Sequence, residues 1–252
     1  MVLTPRMFLI VCPLLFLAGF VDSIAGGGGL ISLPAYLFAG LPVHAAIATN
    51  KLSSACGTSL ATARFVKNGL IRPKLVLPGI AAALLGSALG ARLSLLADER
   101  LIRAILFVVL PAAAFVVLNP RLFPDREQDE EIPAARMLAI CLAAALVIGF
   151  YDGFYGPGTG TFLIIAFTVF AKLSVPSANA QAKVINLTTN LTALAVFLRG
   201  GTVLAPLGLA AAACNMLGNF VGSGLAMRRG AKITRPIILA VLCLLLVKLL
   251  TD

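Results

Sequence analysis

Charged residues are scarce in this chain. Lysine, arginine, aspartate and glutamate make up 12% of its 252 residues, which is about half their share in a soluble domain. Hydrophobic residues make up 60%, and the mean hydropathy is +1.02. A charge at the centre of a bilayer costs about 2.5–3.5 kcal/mol on insertion scales, so a hydrocarbon solvent explains the deficit. The composition predicts an all-α polytopic protein that lies in a lipid bilayer.

The chain also has few of the residues that enzymes and metal sites use. It contains one histidine, His44, and five cysteines that form no CxxC pair or ligand-spaced cluster. No GxxxxGK[ST] phosphate loop is present. Tryptophan is absent, and the net charge of +10 is not concentrated in clusters interleaved with aromatic residues. We therefore expect no enzyme activity, no metal, no cofactor and no nucleic-acid partner.

Long apolar segments recur along the chain in two sets of five. In the first half they cover 7–24, 28–41, 44–66, 75–97 and 101–118; in the second they cover 136–155, 158–171, 176–198, 203–227 and 235–250. An extended polar stretch at 119–133 lies between the sets and is typical of a solvated loop. We predict one transmembrane domain over 1–252, with a first repeat at about 7–118, a linker at 119–133 and a second repeat at about 134–250.

Landmark residues support this duplication. Asp22 and Asp152 are 130 positions apart, and Lys51 and Lys183 are 132 positions apart. Two GxxxG pairs also recur at an interval of 132, and this spacing within helices is typical of close packing. They are Gly86 with Gly90 and Gly218 with Gly222.

The number of crossings decides how the two repeats are oriented. Five crossings in each half give inverted repeats, whereas four give parallel ones. With ten crossings, twelve lysines and arginines fall on one side and six on the other; with eight, the division is ten to eight. The positive-inside rule therefore favours ten crossings, inverted repeats and both termini outside the cytoplasm.

Two segments are too short to cross alone. Residues 30–41 would form about 18 Å of helix, whereas the hydrocarbon core is about 30 Å thick. We predict that this segment and 158–171 are broken half-helices, each opened by a glycine-rich turn inside the protein.

The two turns are candidates for an anion site. Glycine lets the backbone approach a ligand closely, and a helix N-terminus offers unpaired N–H groups and a partial positive charge. These properties together bind anions, although the glycines could instead serve only close helix packing. The candidate substrate-binding residues of the turns are Gly26, Gly27, Gly28 and Gly29 in the first half and Gly156, Gly158, Thr159 and Gly160 in the second.

Charged side chains inside apolar segments add to this site. Asp22 and Asp152 precede the turns, where they could pair with lysine, carry a coupling proton or only stabilise the turn. Lys51 and Lys183 could hold an anion or form internal salt bridges with the aspartates, and both could hold in turn. Polar neighbours on the same helices are further candidates for substrate binding: Thr49, Asn50 and Asn186. Ser54 and Asn190 extend the same helical faces, where hydrogen bonds between helices are the usual role.

With these residues in view, the sequence resembles the sulfite exporter TauE/SafE family of permeases. The resemblance is carried by residues 19–34, which contain the first turn and an apolar stretch ending in Pro34, and by Thr49-x-Lys51. It implies a multi-pass permease of the inner membrane that moves sulfur-containing or organic anions such as sulfite, sulfoacetate or related sulfonates. In the second half Thr159 replaces a glycine and Gln181 replaces Thr49, so the symmetry of the site stays open.

The leading functional hypothesis is a secondary transporter that works by alternating access around a site at the membrane midplane. Since no ATP-binding motif is present, proton or ion coupling or the substrate gradient would drive it. The alternative is an anion channel, which would give flux that does not saturate. The substrate, the direction of transport, the coupling ion and the oligomeric state are left open by the sequence.

Overall fold

The computed structural model describes residues 3–97 and 129–229, together with residues 233, 236, 237 and 240. Over the two long ranges all the regular secondary structure is α-helical. The helices are α1 Pro5–Ala25, α2 Gly29–Phe38, α3 Val43–Lys67, α4 Pro73–Ser94, α5 Ala134–Phe154, α6 Thr159–Val169, α7 Val175–Arg199 and α8 Ala205–Arg229. The predicted segment 101–118, most of 235–250 and most of the polar linker lie outside the described residues.

Four of these helices, α1, α4, α5 and α8, are long and apolar enough to cross a membrane. Helices α3 and α7 have 25 residues each, which gives about 37 Å of helix and is also sufficient for a crossing. They are more polar because their buried faces carry lysine, asparagine and threonine side chains. The prediction of an all-α membrane protein is confirmed.

Contacts between helices show which of them run in the same direction. Along α1 and α8, residue numbers rise together: Asn215 Nδ2 donates to Leu15 O at 3.2 Å, and Gly222 lies against Phe20. Along α3 and α8 they also rise together, since Leu204 N donates to Thr49 Oγ1 at 3.0 Å and the Arg64 guanidinium lies over the ring of Phe220. Helices α1, α3 and α8 are therefore parallel.

Helices α4, α5 and α7 form a second parallel group. Gly86 lies against Leu146 and Gly90 against Phe150, so α4 and α5 are parallel. Ser87 Oγ donates to Thr189 O at 2.7 Å, and the start of α4 contacts the first turns of α7 through Gln181. Residues 68–72 form a short loop between α3 and α4, which makes this pair antiparallel. The two groups of three helices thus run in opposite directions.

The short helix α2 returns along α1. Its N-cap, Gly28, packs on Asp22 near the end of α1, and its last residue, Phe38, lines a surface cavity with Thr4 and Met7 at the start of α1. Ten residues give about 15 Å of helix, about half the thickness of the hydrocarbon core, and Gly26, Gly27 and Gly28 between α1 and α2 are buried. This geometry brings the first glycine turn into the interior of the protein.

Close packing at the GxxxG glycines gives a first testable prediction. A Cβ atom at Gly86 would overlap Leu146 O, and one at Gly218 would overlap Phe16 O. We expect Gly86→Ala and Gly218→Ala each to reduce the free energy of unfolding by about 1–3 kcal/mol, since two helix backbones would have to separate. The melting temperature of the purified protein measures this effect.

Gly200→Ala is the matched control, because its Cβ would lie 3.4 Å from Leu95 Cδ1, an ordinary contact. Melting temperatures for Gly86→Ala and Gly218→Ala that equal that of Gly200→Ala would contradict the assigned packing.

Candidate functional site

Two buried ion pairs connect the two halves of the chain. Lys51 Nζ lies 2.9 Å from Asp152 Oδ1, and Lys183 Nζ lies 2.7 Å from Asp22 Oδ2. Lys183 also donates to the main-chain oxygen of Asp22. Both lysine side chains are 1% exposed, so neither reaches a membrane surface. The sequence left open whether these lysines hold an anion or form internal salt bridges. The structure contains the salt bridges, and each joins a lysine of one half to an aspartate of the other.

The two glycine turns meet in the interior. Gly26 ends α1 with a left-handed φ of 75°, and its carbonyl oxygen accepts a hydrogen bond from Thr161 N at 3.2 Å. Thr161 Oγ1 donates to Ala25 O at 2.7 Å. A Cβ at Gly160 would lie 2.5 Å from Gly26 Cα. Only glycine at both positions therefore allows the two backbones to cross so closely.

A small polar cavity lies where the turns and ion pairs converge. Three charged side chains, Lys51, Asp22 and Asp152, contribute to its wall together with the amides of Asn50 and Asn186. The turns contribute Gly26, Gly29, Gly156, Thr159 and Gly160. Ser54 and Asn190, which were not among the predicted ligands, also line it. The structure therefore brings most of the predicted site residues to one place.

The cavity is small, with a volume of about 20 Å³. This is space for about one water molecule. An anion of several heavy atoms does not fit unless the surrounding helices move apart. The cavity is thus narrow, although Gly29 and Ser54 on its wall are partly exposed.

The remaining predicted residues lie beside the cavity rather than on its wall. Thr49 holds the start of α8 through Leu204 N, and Gly158 is the N-cap of α6 with a left-handed φ of 83°. Gly28 is the N-cap of α2, and Gly27 O accepts from Leu30 N at 3.1 Å. Lys183 reaches the site through Asp22. These residues shape the site without contacting the cavity.

The backbone at the cavity offers free donors. Gly29 is the first residue of α2 and Gly160 the second of α6, positions whose N–H groups have no acceptor within the helix. Within the described ranges neither N–H has a hydrogen-bond acceptor. Both glycines line the cavity, where the partial positive charge of a helix N-terminus favours an anion.

The two aspartates differ in their surroundings. Asp152 Oδ1 accepts from Lys51 and also from Thr159 Oγ1 at 2.6 Å, whereas Asp152 Oδ2 has no hydrogen-bond partner in the described part of the chain. The position that corresponds to Thr159 in the first half is Gly29, which has no hydroxyl. Asp22 is instead held through both its carboxylate and its main chain by Lys183.

Two structural residues of the site were not predicted from the sequence. Asn179 Nδ2 donates to Ser23 O at 3.1 Å and to Ile24 O at 3.0 Å, and so satisfies carbonyls at the end of α1. Thr161 performs the same task for Ala25. Asn179 lies four residues before Lys183, on the helical face that Lys183, Asn186 and Asn190 share, so extending that pattern by one turn would have found it. Thr161 gave no comparable signal.

Comparison with known proteins decides the family. The model of the family described as sulfite exporter TauE/SafE matches residues 11–249. The chain belongs to the sulfite exporter TauE/SafE family. The resemblance seen in the first glycine turn and in Thr49-x-Lys51 is thereby confirmed.

Several curated relatives of this TauE/SafE chain are named as probable membrane transporter proteins. It is 38% identical over 238 residues to ORF9 of a Sinorhizobium species, covering 94% of this chain and 90% of that protein. It is 37% identical over 239 residues to YfcA of Escherichia coli strain K12, covering 94% and 87%. It is 34% identical over 238 residues to a protein of Haemophilus influenzae, covering 94% and 92%.

No solved structure gives a significant match. Together with the apolar helices, the family and the relatives make this TauE/SafE protein a multi-pass membrane protein of the transporter class, in the inner membrane.

Proposed function

We propose that this protein is a secondary transporter that binds a small anion, such as sulfite or an organic sulfonate, near the membrane midplane and moves it by alternating access. One observation carries the proposal. Two glycine-opened helix starts and an ion-paired lysine converge on a polar cavity inside the protein, and a second buried pair adjoins it. A cavity of this composition suits an anion, since it offers N–H donors and an ammonium group.

Internal duplication of the fold supports a site formed between two related halves. Helices α3 and α7 have the same length and begin 132 positions apart, at Val43 and Val175. Thr49 accepts from Leu204 N, and Gln181 accepts from Arg72 N; both acceptors and both donors are again separated by 132. We infer that Gln181 performs in the second half the task of Thr49 in the first.

Helix directions support inverted rather than parallel repeats. Helix α1 belongs to one parallel group and α5, its counterpart in the second half, to the opposite one. The opposite directions of these two related helices fit the ten-crossing arrangement that the distribution of lysine and arginine favours. Inverted repeats are suited to alternating access around a fixed site.

The ion pairs suggest how an anion would be bound and released. An entering anion competes with Asp152 for Lys51, while the N–H groups of Gly29 and Gly160 complete its coordination. Since the cavity accepts about one water molecule, binding requires the two halves to separate on one side. Asp22 and Asp152 are the groups that would carry a coupling proton, or pair with a coupling ion, when a lysine is engaged by substrate.

A thermal-shift titration tests this proposal. A ligand that binds only the native state adds about 2.7 kcal/mol to the free energy of unfolding at one hundred times its Kd. We expect sulfite or a small sulfonate to raise the melting temperature of the purified protein, and chloride at equal ionic strength to have a much smaller effect. No rise with any small anion would overturn the proposed site.

Flux into proteoliposomes then separates the two transport mechanisms. We expect the anion that stabilises the protein to give saturable flux and to exchange with substrate on the opposite side. Flux that rises linearly with concentration and shows no exchange would support the alternative, an anion channel.

A further inference from the structure

The side-chain oxygens of two asparagines at the cavity each accept a hydrogen bond from a residue one helical turn later. Ser54 Oγ donates to Asn50 Oδ1 at 3.3 Å, and Asn190 Nδ2 donates to Asn186 Oδ1 at 2.9 Å. Asn190 Nδ2 is also anchored to Asn186 O at 2.7 Å. Each pair joins residues i and i+4 of one helix. The hydrogen bonds are therefore within α3 and within α7, not between helices as the sequence suggested.

These contacts occupy the oxygen of each amide: the Ser54 hydroxyl donates to Asn50 Oδ1, and the Asn190 amide nitrogen, which can only donate, bonds to Asn186 Oδ1. A primary amide carries an acceptor oxygen and a nitrogen with two donors. Where the oxygen is occupied by the residue one turn later, the nitrogen remains for another partner. Among the described residues, neither Asn50 Nδ2 nor Asn186 Nδ2 has an acceptor, and both residues line the cavity while being 5% exposed. Two buried amides thus present unpaired donors to the cavity.

The two halves reach this arrangement with different residues. Counting by 132 positions, Ala182 corresponds to Asn50, and Thr58 corresponds to Asn190. The two amides whose oxygens are bonded, Asn50 and Asn186, therefore lie one helical turn apart when α3 and α7 are aligned. Duplication of one ancestral pair would have placed them at equivalent positions, so it did not by itself produce both. A similar hydrogen bond in each half points to a requirement of the site itself.

A third asparagine oxygen accepts a hydrogen bond from the residue one turn later, but its amide has a different role. Asn219 Nδ2 donates to Asn215 Oδ1 at 2.9 Å, but Asn215 Nδ2 donates in turn to Leu15 O at 3.2 Å. Its donor is consumed in the contact between α1 and α8. An i, i+4 hydrogen bond to an asparagine oxygen can therefore serve helix packing. The two such bonds at the cavity differ because the amide nitrogens of Asn50 and Asn186 remain without an acceptor.

We propose that Ser54 and Asn190 are positioning residues that turn the amide nitrogens of Asn50 and Asn186 toward the substrate and so select small oxyanions. This inference rests on the proposed function and deepens it. Among the residues that the structure describes, those on the cavity wall include no aliphatic or aromatic side chain. An oxyanion offers several acceptor oxygens to the amide, backbone and ammonium donors, whereas a halide offers a single acceptor atom. An apolar group on a larger anion would have no apolar side chain to contact among the described lining residues.

The test uses purified protein with sulfite, methanesulfonate and chloride as probes. We expect Ser54→Ala and Asn190→Ala each to weaken binding of the preferred oxyanion about five- to tenfold, the range of one lost hydrogen bond. Selectivity over chloride should fall by a similar factor, while any fall in melting temperature without anion should be no larger than that of Asn219→Ala, which loses the equivalent i, i+4 contacts. Ser54→Thr keeps the hydroxyl donor and should restore wild-type affinity.

Asn219→Ala is the structural control, and it should lower the melting temperature without changing affinity or selectivity. If the wild type binds and both alanine variants bind with unchanged affinity and selectivity, the positioning role is wrong although the proposed function stands. If the wild type binds none of the probes, the proposed function fails and the positioning role fails with it.

Discussion

Replacing Lys51 with alanine is expected to abolish anion flux into proteoliposomes and to lower the melting temperature of the protein. Lys51 Nζ lies at the cavity wall and 2.9 Å from Asp152 Oδ1. Removing it deletes the ammonium group that would hold the anion and leaves a buried carboxylate unpaired. Breaking a buried pair in this way costs about 3–5 kcal/mol of stability.

Lys183→Ala is expected to give a similar loss for a different reason. Lys183 does not contact the cavity, but Asp22, its partner, lines the cavity wall. Without Lys183 the Asp22 carboxylate would repel an anion from the site. The change should therefore weaken binding through charge repulsion rather than through a lost contact.

Double variants separate these two mechanisms. In the Lys183→Ala background, Asp22→Asn removes the repelling charge and should recover much of the anion affinity and of the melting temperature. In the Lys51→Ala background, Asp152→Asn should recover the melting temperature but not the affinity. Wild-type flux and affinity in both single alanine variants would remove the lysines from the proposed mechanism.

The helices themselves could be predicted closely from the sequence. The apolar segment predicted at 44–66 is α3 at Val43–Lys67, and that predicted at 176–198 is α7 at Val175–Arg199. Hydrophobic runs end at loops marked by glycine or proline, so the bounds follow from composition. The glycine turns before α2 and α6 were also identifiable, because a run of glycine within apolar sequence favours an unusual backbone.

The partners of the buried charges could not be predicted in the same way. Nothing local in the sequence indicates that Lys51 contacts Asp152, about one hundred residues away, rather than Asp22 in its own half. That choice depends on the packing of α1 against α8 and of α4 against α5, in which glycines admit the neighbouring backbone. Such packing is a property of the assembled helices, so the sequence could only leave the salt bridges open.

The orientation of the cavity amides was inaccessible for a related reason. Asn50 and Ser54, like Asn186 and Asn190, are recognisable from sequence as neighbours on one helical face. Whether such residues bond within a helix, between helices or to a ligand depends on what surrounds them. The pair Asn215 and Asn219 has the same spacing, but Asn215 Nδ2 donates to Leu15 O and is not available to a ligand.

Gly26→Ala is expected to have the largest effect of any single glycine substitution at the site. Two penalties combine at this position. The φ of Gly26 is 75°, a region that costs an L-residue about 1–2 kcal/mol. Its Cβ would also lie 2.5 Å from Gly160 Cα, so the two turns would have to separate. We expect a large fall in melting temperature and loss of anion binding, since the N–H groups of Gly29 and Gly160 would no longer share one cavity.

Two further substitutions divide this effect into its parts. Gly40→Ala places alanine at a φ of 88° with no atom within 4 Å of the new Cβ, and should show the backbone penalty alone. Gly160→Ala introduces the overlap without a left-handed φ, since a Cβ there would lie 2.5 Å from Gly26 Cα. If the crossing of the two turns forms the site, Gly160→Ala should abolish anion binding while Gly40→Ala preserves it. A Gly26→Ala protein that matches Gly40→Ala in both melting temperature and anion affinity would show that the turns can separate without consequence, and the convergence of two helix starts on one anion would then be wrong.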